Sequence, residues 1–179
     1  MASDLIRRKL THLFNQYDYN KNGVLEKEDF AMVGANFARM NGFAEGSKEY
    51  EGTVKREVMI WDAILPHCDA NNDGVITLEE YITGFEAWKN TPEFETFLRE
   101  YSNFVFDAVD TNKNGRMEFD EFMGFIYTKD KALGEKVFNA LDTDKSGYLD
   151  RNEVLTAFRE FFFTEDPNSP ANYLFEFNG

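Results

Sequence analysis

Twelve residues recur four times along this 179-residue chain in the pattern Asp-x-Asn/Asp-x-Asn/Asp/Ser-Gly-x-apolar-x-x-x-acid. The copies are Asp18–Asp29 (DYNKNGVLEKED), Asp69–Glu80 (DANNDGVITLEE), Asp110–Glu121 (DTNKNGRMEFDE) and Asp142–Glu153 (DTDKSGYLDRNE). A hard cation such as calcium takes six to eight oxygens at roughly 2.3–2.6 Å, so a short loop that holds one must turn several oxygens onto a single point. Positions 1, 3 and 5 carry oxygen-bearing side chains in every copy: Asp18, Asn20 and Asn22; Asp69, Asn71 and Asp73; Asp110, Asn112 and Asn114; Asp142, Asp144 and Ser146. Position 6 is always glycine, as a reversal through positive φ requires. Position 7 would lend only its carbonyl, which leaves Val24, Val75, Arg116 and Tyr148 free to differ. Position 8 is apolar (Leu25, Ile76, Met117, Leu149) and suits a short antiparallel contact between paired loops. Position 12 closes the shell, best as a bidentate glutamate: Glu80, Glu121 and Glu153 meet that, and Asp29 is one methylene short.

Asp/Asn/Gly clusters also form ordinary turns, and a single copy would support no more. Four copies, each entered by an apolar segment and followed directly by Phe30, Tyr81, Phe122 or Val154, point to metal loops. The expected complement is three to four calcium ions, with magnesium at the first loop, since magnesium's octahedral shell needs only one oxygen from position 12.

The charge pattern agrees. With 33 acidic and 19 basic residues the formal charge is −14, the wrong sign for a nucleic-acid partner. Thirteen of the acids occupy positions 1, 3, 5, 9 or 12 of the repeats, and four divalent ions would bring the charge to about −6. The metal-free chain should therefore repel itself and be stabilised by cations. The one cysteine, Cys68, excludes an internal disulfide, suits a reducing compartment and reads as a small buried apolar residue. The opening MASDLIRRKL lacks the apolar stretch of a secretion signal, and Ala2 excludes myristoylation. No segment approaches 18 apolar residues, so no membrane span is expected. A monomeric cytoplasmic protein is the expectation.

Hydrophobic periodicity predicts helices on both sides of each loop. Residues 4–17 place Ile6, Leu10, Leu13, Phe14 and Tyr17 on one face, capped by Ser3 or Asp4. Phe30, Val33 and Phe37 lead out of the first loop until Gly42, Gly46 and Gly52 break the pattern, so residues 41–52 read as an irregular insertion. Val54, Val58, Trp61 and Leu65 enter the second loop, with Pro66 expected to kink that helix. Tyr81, Ile82, Phe85 and Trp88 leave it. Thr91-Pro92 reads as an N-cap and first helical residue, opening a helix through Phe94, Phe97, Leu98, Tyr101, Val105 and Phe106. After the fourth loop come Val154, Leu155, Phe158 and Phe161–Phe163, the turn TEDPNSP, and NYLFEF, a tail too apolar to be solvated. Two halves, 1–90 and 91–179, follow from this order. With no flexible tether between them, they are expected to pack as one globule.

Oxygen-ligand loops flanked by helices resemble EF-hands. The loop starts are 51, 41 and 32 residues apart, with six methionines and 19 phenylalanines, unlike the even, methionine-rich calmodulin type. The extended 41–52 segment, Asp29 closing the first loop, IWDAILPHCD, SNFVFDAVD and the tail NYLFEF make the whole chain similar to the sarcoplasmic calcium-binding proteins, with their relatives calexcitin, calerythrin and the coelenterate luciferin-binding proteins. That resemblance implies an all-α fold in which hands pair one with two and three with four around a shared interior. It also implies a calcium buffer or signal modulator. Two other functions stay open: a sensor exposing an apolar surface to a protein partner, and a protein that holds a luciferin of coelenterazine type. No catalytic grouping is legible. The acids serve as ligands, and His12 and His67 lie on amphipathic helices.

Overall fold

The computed structural model describes residues 3–126, 130–175 and 177. Ala2 therefore lies outside the described residues, as do Glu176, Asn178 and Gly179 of the tail. Two units are distinguished, Met1–Phe97 and Leu98–Gly179.

In the first unit α1 (Asp4–Tyr17) leads to β1 (Val24–Leu25) and α2 (Lys27–Met40), and α3 (Lys48–Cys68) leads to β2 (Ile76–Thr77) and α4 (Leu78–Trp88). Ser3 caps α1, its Oγ accepting the Ile6 N–H at 3.4 Å. β1 and β2 pair antiparallel with Leu25 opposite Ile76, both fully buried, which is the contact expected from position 8. The irregular segment is shorter than the glycines suggested. Helix resumes at Lys48 because Ser47 caps it, accepting the Tyr50 N–H at 3.1 Å, and Gly52 lies inside α3. Tyr50 and Thr53 are buried on that first stretch, so tertiary packing outweighs the low helix propensity of one glycine. α3 continues through Pro66 to Cys68.

Glycine sets two helix crossings in this unit. A Cβ on Gly34 of α2 would stand 2.7 Å from the Val54 Cα of α3, and one on Gly84 of α4 would stand 2.3 Å from the His67 carbonyl oxygen and 2.6 Å from the Cys68 Cα. Both obstacles on Gly84 are backbone, which cannot rotate away. Gly84→Ala should therefore force α3 and α4 apart and destabilise the protein by about 1–3 kcal/mol or more, read as a fall in the urea midpoint. An unchanged midpoint would mean the crossing is not tight.

A charged group is also buried here. Glu57 is 2% exposed, yet every charge-bearing atom is engaged: Oε2 accepts the Tyr17 hydroxyl at 2.8 Å, and Oε1 accepts Arg56 Nε at 2.8 Å. The Arg56 guanidinium lies 4.8 Å over the Phe37 ring. Pairing of this quality is what a carboxylate needs to survive burial.

The second unit is built from α5 (Pro92–Val109), which begins in the first unit, then α6 (Phe119–Phe125), α7 (Lys131–Leu141) and α8 (Arg151–Phe163). Thr91 caps α5, accepting the Phe94 N–H at 3.3 Å. Met117 and Leu149 form a single antiparallel bridge, with their N–H groups and carbonyls exchanged at 2.9 Å. Phe158, 1% exposed, is ringed by Tyr101 at 5.7 Å, Phe125 at 5.8 Å and Phe175 at 5.8 Å between centroids. The tail forms a 3-10 turn, Pro170–Phe175, held by Asn172 Nδ2 donating to the carbonyls of Asp166 and Pro167 at 3.1 Å. Leu174, Phe175 and Phe177 are buried, as the apolar tail predicted. Leu174 closes an apolar space of about 10 Å³ among Met117, Leu149 and Phe158, room for no more than one water. Among the described residues no helix is long and apolar enough to cross a membrane.

Candidate metal loops

One hydrogen-bond frame repeats in all four loops. The carboxylate at position 1 grips the backbone of positions 5 and 6. Asp18 accepts from the N–H groups of Asn22 and Gly23 at 3.1 Å each, Asp69 from Asp73 at 3.2 Å and Gly74 at 3.0 Å, Asp110 from Asn114 at 3.0 Å and Gly115 at 2.9 Å, and Asp142 from Ser146 and Gly147 at 2.9 Å each. The position 3 side chain accepts the same position 5 N–H: Asn20 at 2.9 Å, Asn71 at 2.8 Å, Asn112 at 3.0 Å and Asp144 at 3.0 Å. Positions 1 and 3 are thus drawn onto one point by a shared donor. In the first three loops the position 5 side chain accepts the position 7 N–H, Asn22 from Val24 at 3.0 Å, Asp73 from Val75 at 3.1 Å and Asn114 from Arg116 at 2.8 Å. In the fourth, the Ser146 hydroxyl instead donates to the Tyr148 carbonyl at 2.9 Å.

The glycines at position 6 have positive φ, between 76° and 86°, as the motif requires, and a residue the motif leaves unspecified has positive φ too. Position 4, occupied by Lys21, Asn72, Lys113 and Lys145, has φ of 57–60°. Three of these are lysines in a region that disfavours them. Lys21 and Lys113 reach back to the carbonyls of Asn15 and Asp107.

Position 12 arrives from the exiting helix. Position 9 is the N-cap of that helix and position 12 its third residue, joined as a capping box in every hand: Glu26 with Asp29, Thr77 with Glu80, Glu118 with Glu121, Asp150 with Glu153. The closing carboxylates meet the opposite end of the loop as well. Glu121 accepts the Thr111 N–H at 2.9 Å and Glu153 the Thr143 N–H at 2.8 Å, both at position 2. Asp29, fully buried, reaches only the Asn20 N–H at position 3, at 3.4 Å. The missing methylene is visible as a shorter span.

Position 9 is a residue that the ligand pattern alone overlooked. Glu26 accepts from the Asn22 amide at 3.1 Å and Glu118 from the Asn114 amide at 3.2 Å. Its signal was present in the sequence as an acid or threonine three residues before position 12.

Backbone donors hold the Glu80 carboxyl below its ordinary range, chiefly the Thr77 N–H. Burial pushes the Asp142 carboxyl up, but N–H groups of Gly147 and Ser146 outweigh it and leave a net depression. Both are carboxylates at neutral pH. Cys68, just ahead of the second loop, is pushed up to about 12 by burial and by the Glu80 charge, as befits the inert buried thiol expected from sequence.

In the fourth loop, carboxylate oxygens of Asp142, Asp144 and Glu153 all lie within 4.8 Å of one another. Separations of that size or less fit inside an oxygen shell with a radius of about 2.4 Å. Three like charges so close fit a hard divalent cation in both charge and donor type.

The chain matches three family descriptions: an EF-hand domain pair over residues 64–127, an EF-hand domain over 135–163 and an EF hand over 10–33. It is 27% identical over 168 residues to calerythrin of Saccharopolyspora erythraea, covering 91% of this chain and 93% of that one. It is 27% identical over 110 residues to the sarcoplasmic calcium-binding protein alpha chain of Penaeus vannamei, where the match spans 59% of this chain and 57% of the shrimp protein. The calcium-loaded apo form of the coelenterazine-binding protein from Renilla muelleri superposes with a TM-score of 0.66 at 22% identity, over 97% of this chain and 98% of that one.

Proposed function

For a chain that belongs to the EF-hand calcium-binding proteins, we propose the role of a calcium buffer or signal modulator holding three to four calcium ions, with magnesium competing best at the first loop. The ligands are the side chains of positions 1, 3, 5 and 12 with the carbonyls of Val24, Val75, Arg116 and Tyr148. The observation that carries this reading is the shared N–H at position 5, which converges positions 1 and 3 in all four loops. A buffer rather than a sensor is favoured by the second unit's interior, already filled by Leu174 and Phe175 of its own tail. Calorimetric calcium titration with and without millimolar magnesium tests it: at least three sites are expected, and one site or none would overturn it.

The first loop carries its own expectation. Asp29 spans less of the loop than Glu121 or Glu153, so it suits the single oxygen that magnesium asks of position 12. Asp29→Glu should raise the calcium-to-magnesium preference of that loop by about tenfold. If the ratio stays put, chain length is not what sets the preference.

A second reading has one specific observation behind it. The buried Trp88 Nε1 has no hydrogen-bond partner among the described residues, although the ring packs against Phe85, Phe94 and Phe97 and stacks on His67 at 4.6 Å. An aromatic nest with an unused donor suits a small heteroaromatic ligand. Quenching of tryptophan fluorescence by coelenterazine would support it, and an unaltered spectrum at saturating ligand would remove it.

A further inference from the structure

The two loop pairs are joined by different means. Between the first and second loops the contact is a two-residue ladder, and the position 7 side chains are valines. Between the third and fourth it is a single bridge, Met117 to Leu149, and two arginines cross beside it. The Arg116 guanidinium carbon, at position 7 of the third loop, stands 4.6 Å from the ring centroid of Tyr148, at position 7 of the fourth. These two are diagonal neighbours across the bridge, the spacing at which long and aromatic side chains meet. Arg151, the first residue of α8, reaches back to the last turn of α5: its Nη2 donates to Asp107 Oδ1 at 2.5 Å, its Nη1 to Asn103 Oδ1 at 3.3 Å, and its guanidinium carbon lies 4.4 Å from the Phe106 centroid.

We propose that Arg116 and Arg151 are the coupling residues through which the third and fourth loops pass cation occupancy to each other. This rests on the calcium reading above. Arg151 stands two residues before Glu153, and Asp107 three residues before Asp110. Drawing Glu153 onto a cation therefore shifts the start of α8, and Arg151 carries that shift into the turn that presents Asp110. The contact between Arg116 and Tyr148 ties together the two residues whose carbonyls would face the cations. Arg116 also has an opposing effect, since its charge beside both loops repels the first cation to arrive. Removing Arg116 should thus have two effects of opposite sign, which a merely structural residue would not produce.

The test uses the full chain with the first pair silenced by Asp29→Asn and Glu80→Gln, and reads the two stepwise calcium constants by calorimetry. Arg116→Met should bind the first ion about twofold more tightly and cut the enhancement of the second by about two- to fivefold, the range of an exposed cation–π contact. Arg116→Lys, which keeps the charge, should leave the first constant near the parent value and retain part of the enhancement. Tyr148→Leu and Arg151→Met should each lower the enhancement with no gain in the first constant. Binding at both loops with the enhancement unchanged in Arg116→Met and Arg151→Met overturns the coupling role alone. No binding at the third or fourth loop before these substitutions overturns the calcium reading and the coupling role with it.

Discussion

Glu153→Gln is expected to weaken calcium binding at the fourth loop by about 100-fold or more, and to weaken the third loop with it. Glutamine keeps the length of the side chain but only one acceptor oxygen, whereas Glu153 now takes the Thr143 N–H on Oε1 at 2.8 Å and the Asp150 N–H on Oε2 at 3.0 Å, so one of those bonds is lost as well. It loses the charge and the second carboxylate oxygen, and with them the balance among Asp142, Asp144 and the cation. Glu80→Gln and Glu121→Gln should each silence their own loops in the same way. The neighbouring loop suffers because Met117 and Leu149 share two hydrogen bonds at 2.9 Å, so loss of order on one side frays the other. Calorimetry of the single variants checks this, and neighbours that titrate at parent affinity would contradict the pairing.

Phe175→Ala should destabilise the calcium-loaded protein by about 3–5 kcal/mol, the usual cost of removing a buried phenyl ring from a site that cannot collapse. Phe175 meets Phe161 at 4.6 Å, Phe158 at 5.8 Å and Phe162 at 6.2 Å, and Phe161 and Phe158 are themselves fully buried. The drop is read as a lower denaturant midpoint. The same variant decides between buffer and sensor. In the parent protein a hydrophobic dye should bind the calcium-free state, swollen by self-repulsion, more than the loaded state, because the tail covers the interior. Loss of the Phe175 ring should reverse that order. A dye signal that rises when calcium is added to the parent would favour the sensor.

The hydrogen-bond frame of the four loops was legible because its geometry is local. Asp18 to Gly23 and Asp142 to Gly147 are joined by bonds spanning four or five residues, and a twelve-residue pattern contains every partner. The pairing of Leu25 with Ile76 and Met117 with Leu149 was readable for a related reason: an apolar residue fixed at position 8 has one buried surface available. Local rules also reached their limit inside the loops. Positive φ at Lys21, Lys113 and Lys145 has no compositional signal; at Lys21 and Lys113 the long side chain reaches back to a helix carbonyl, which the backbone preference of lysine does not announce.

Residues 41–52 mark the boundary between local and tertiary control. Their glycines argue for irregular chain, yet helix begins at Lys48 because Tyr50 and Thr53 find buried places against the rest of the unit. The sequence alone determined the repeat, the oxygen-bearing side chains it draws together, the helices on either side and the apolar character of the tail, since each depends on neighbours within a few residues. Only the tertiary structure decided that Glu57 would be buried against Tyr17, 40 residues away, that Gly84 would admit the backbone of Cys68, and that Arg151 would reach Asp107, 44 residues away. Such contacts depend on where the path of the whole chain brings distant side chains, and no spacing along it encodes that.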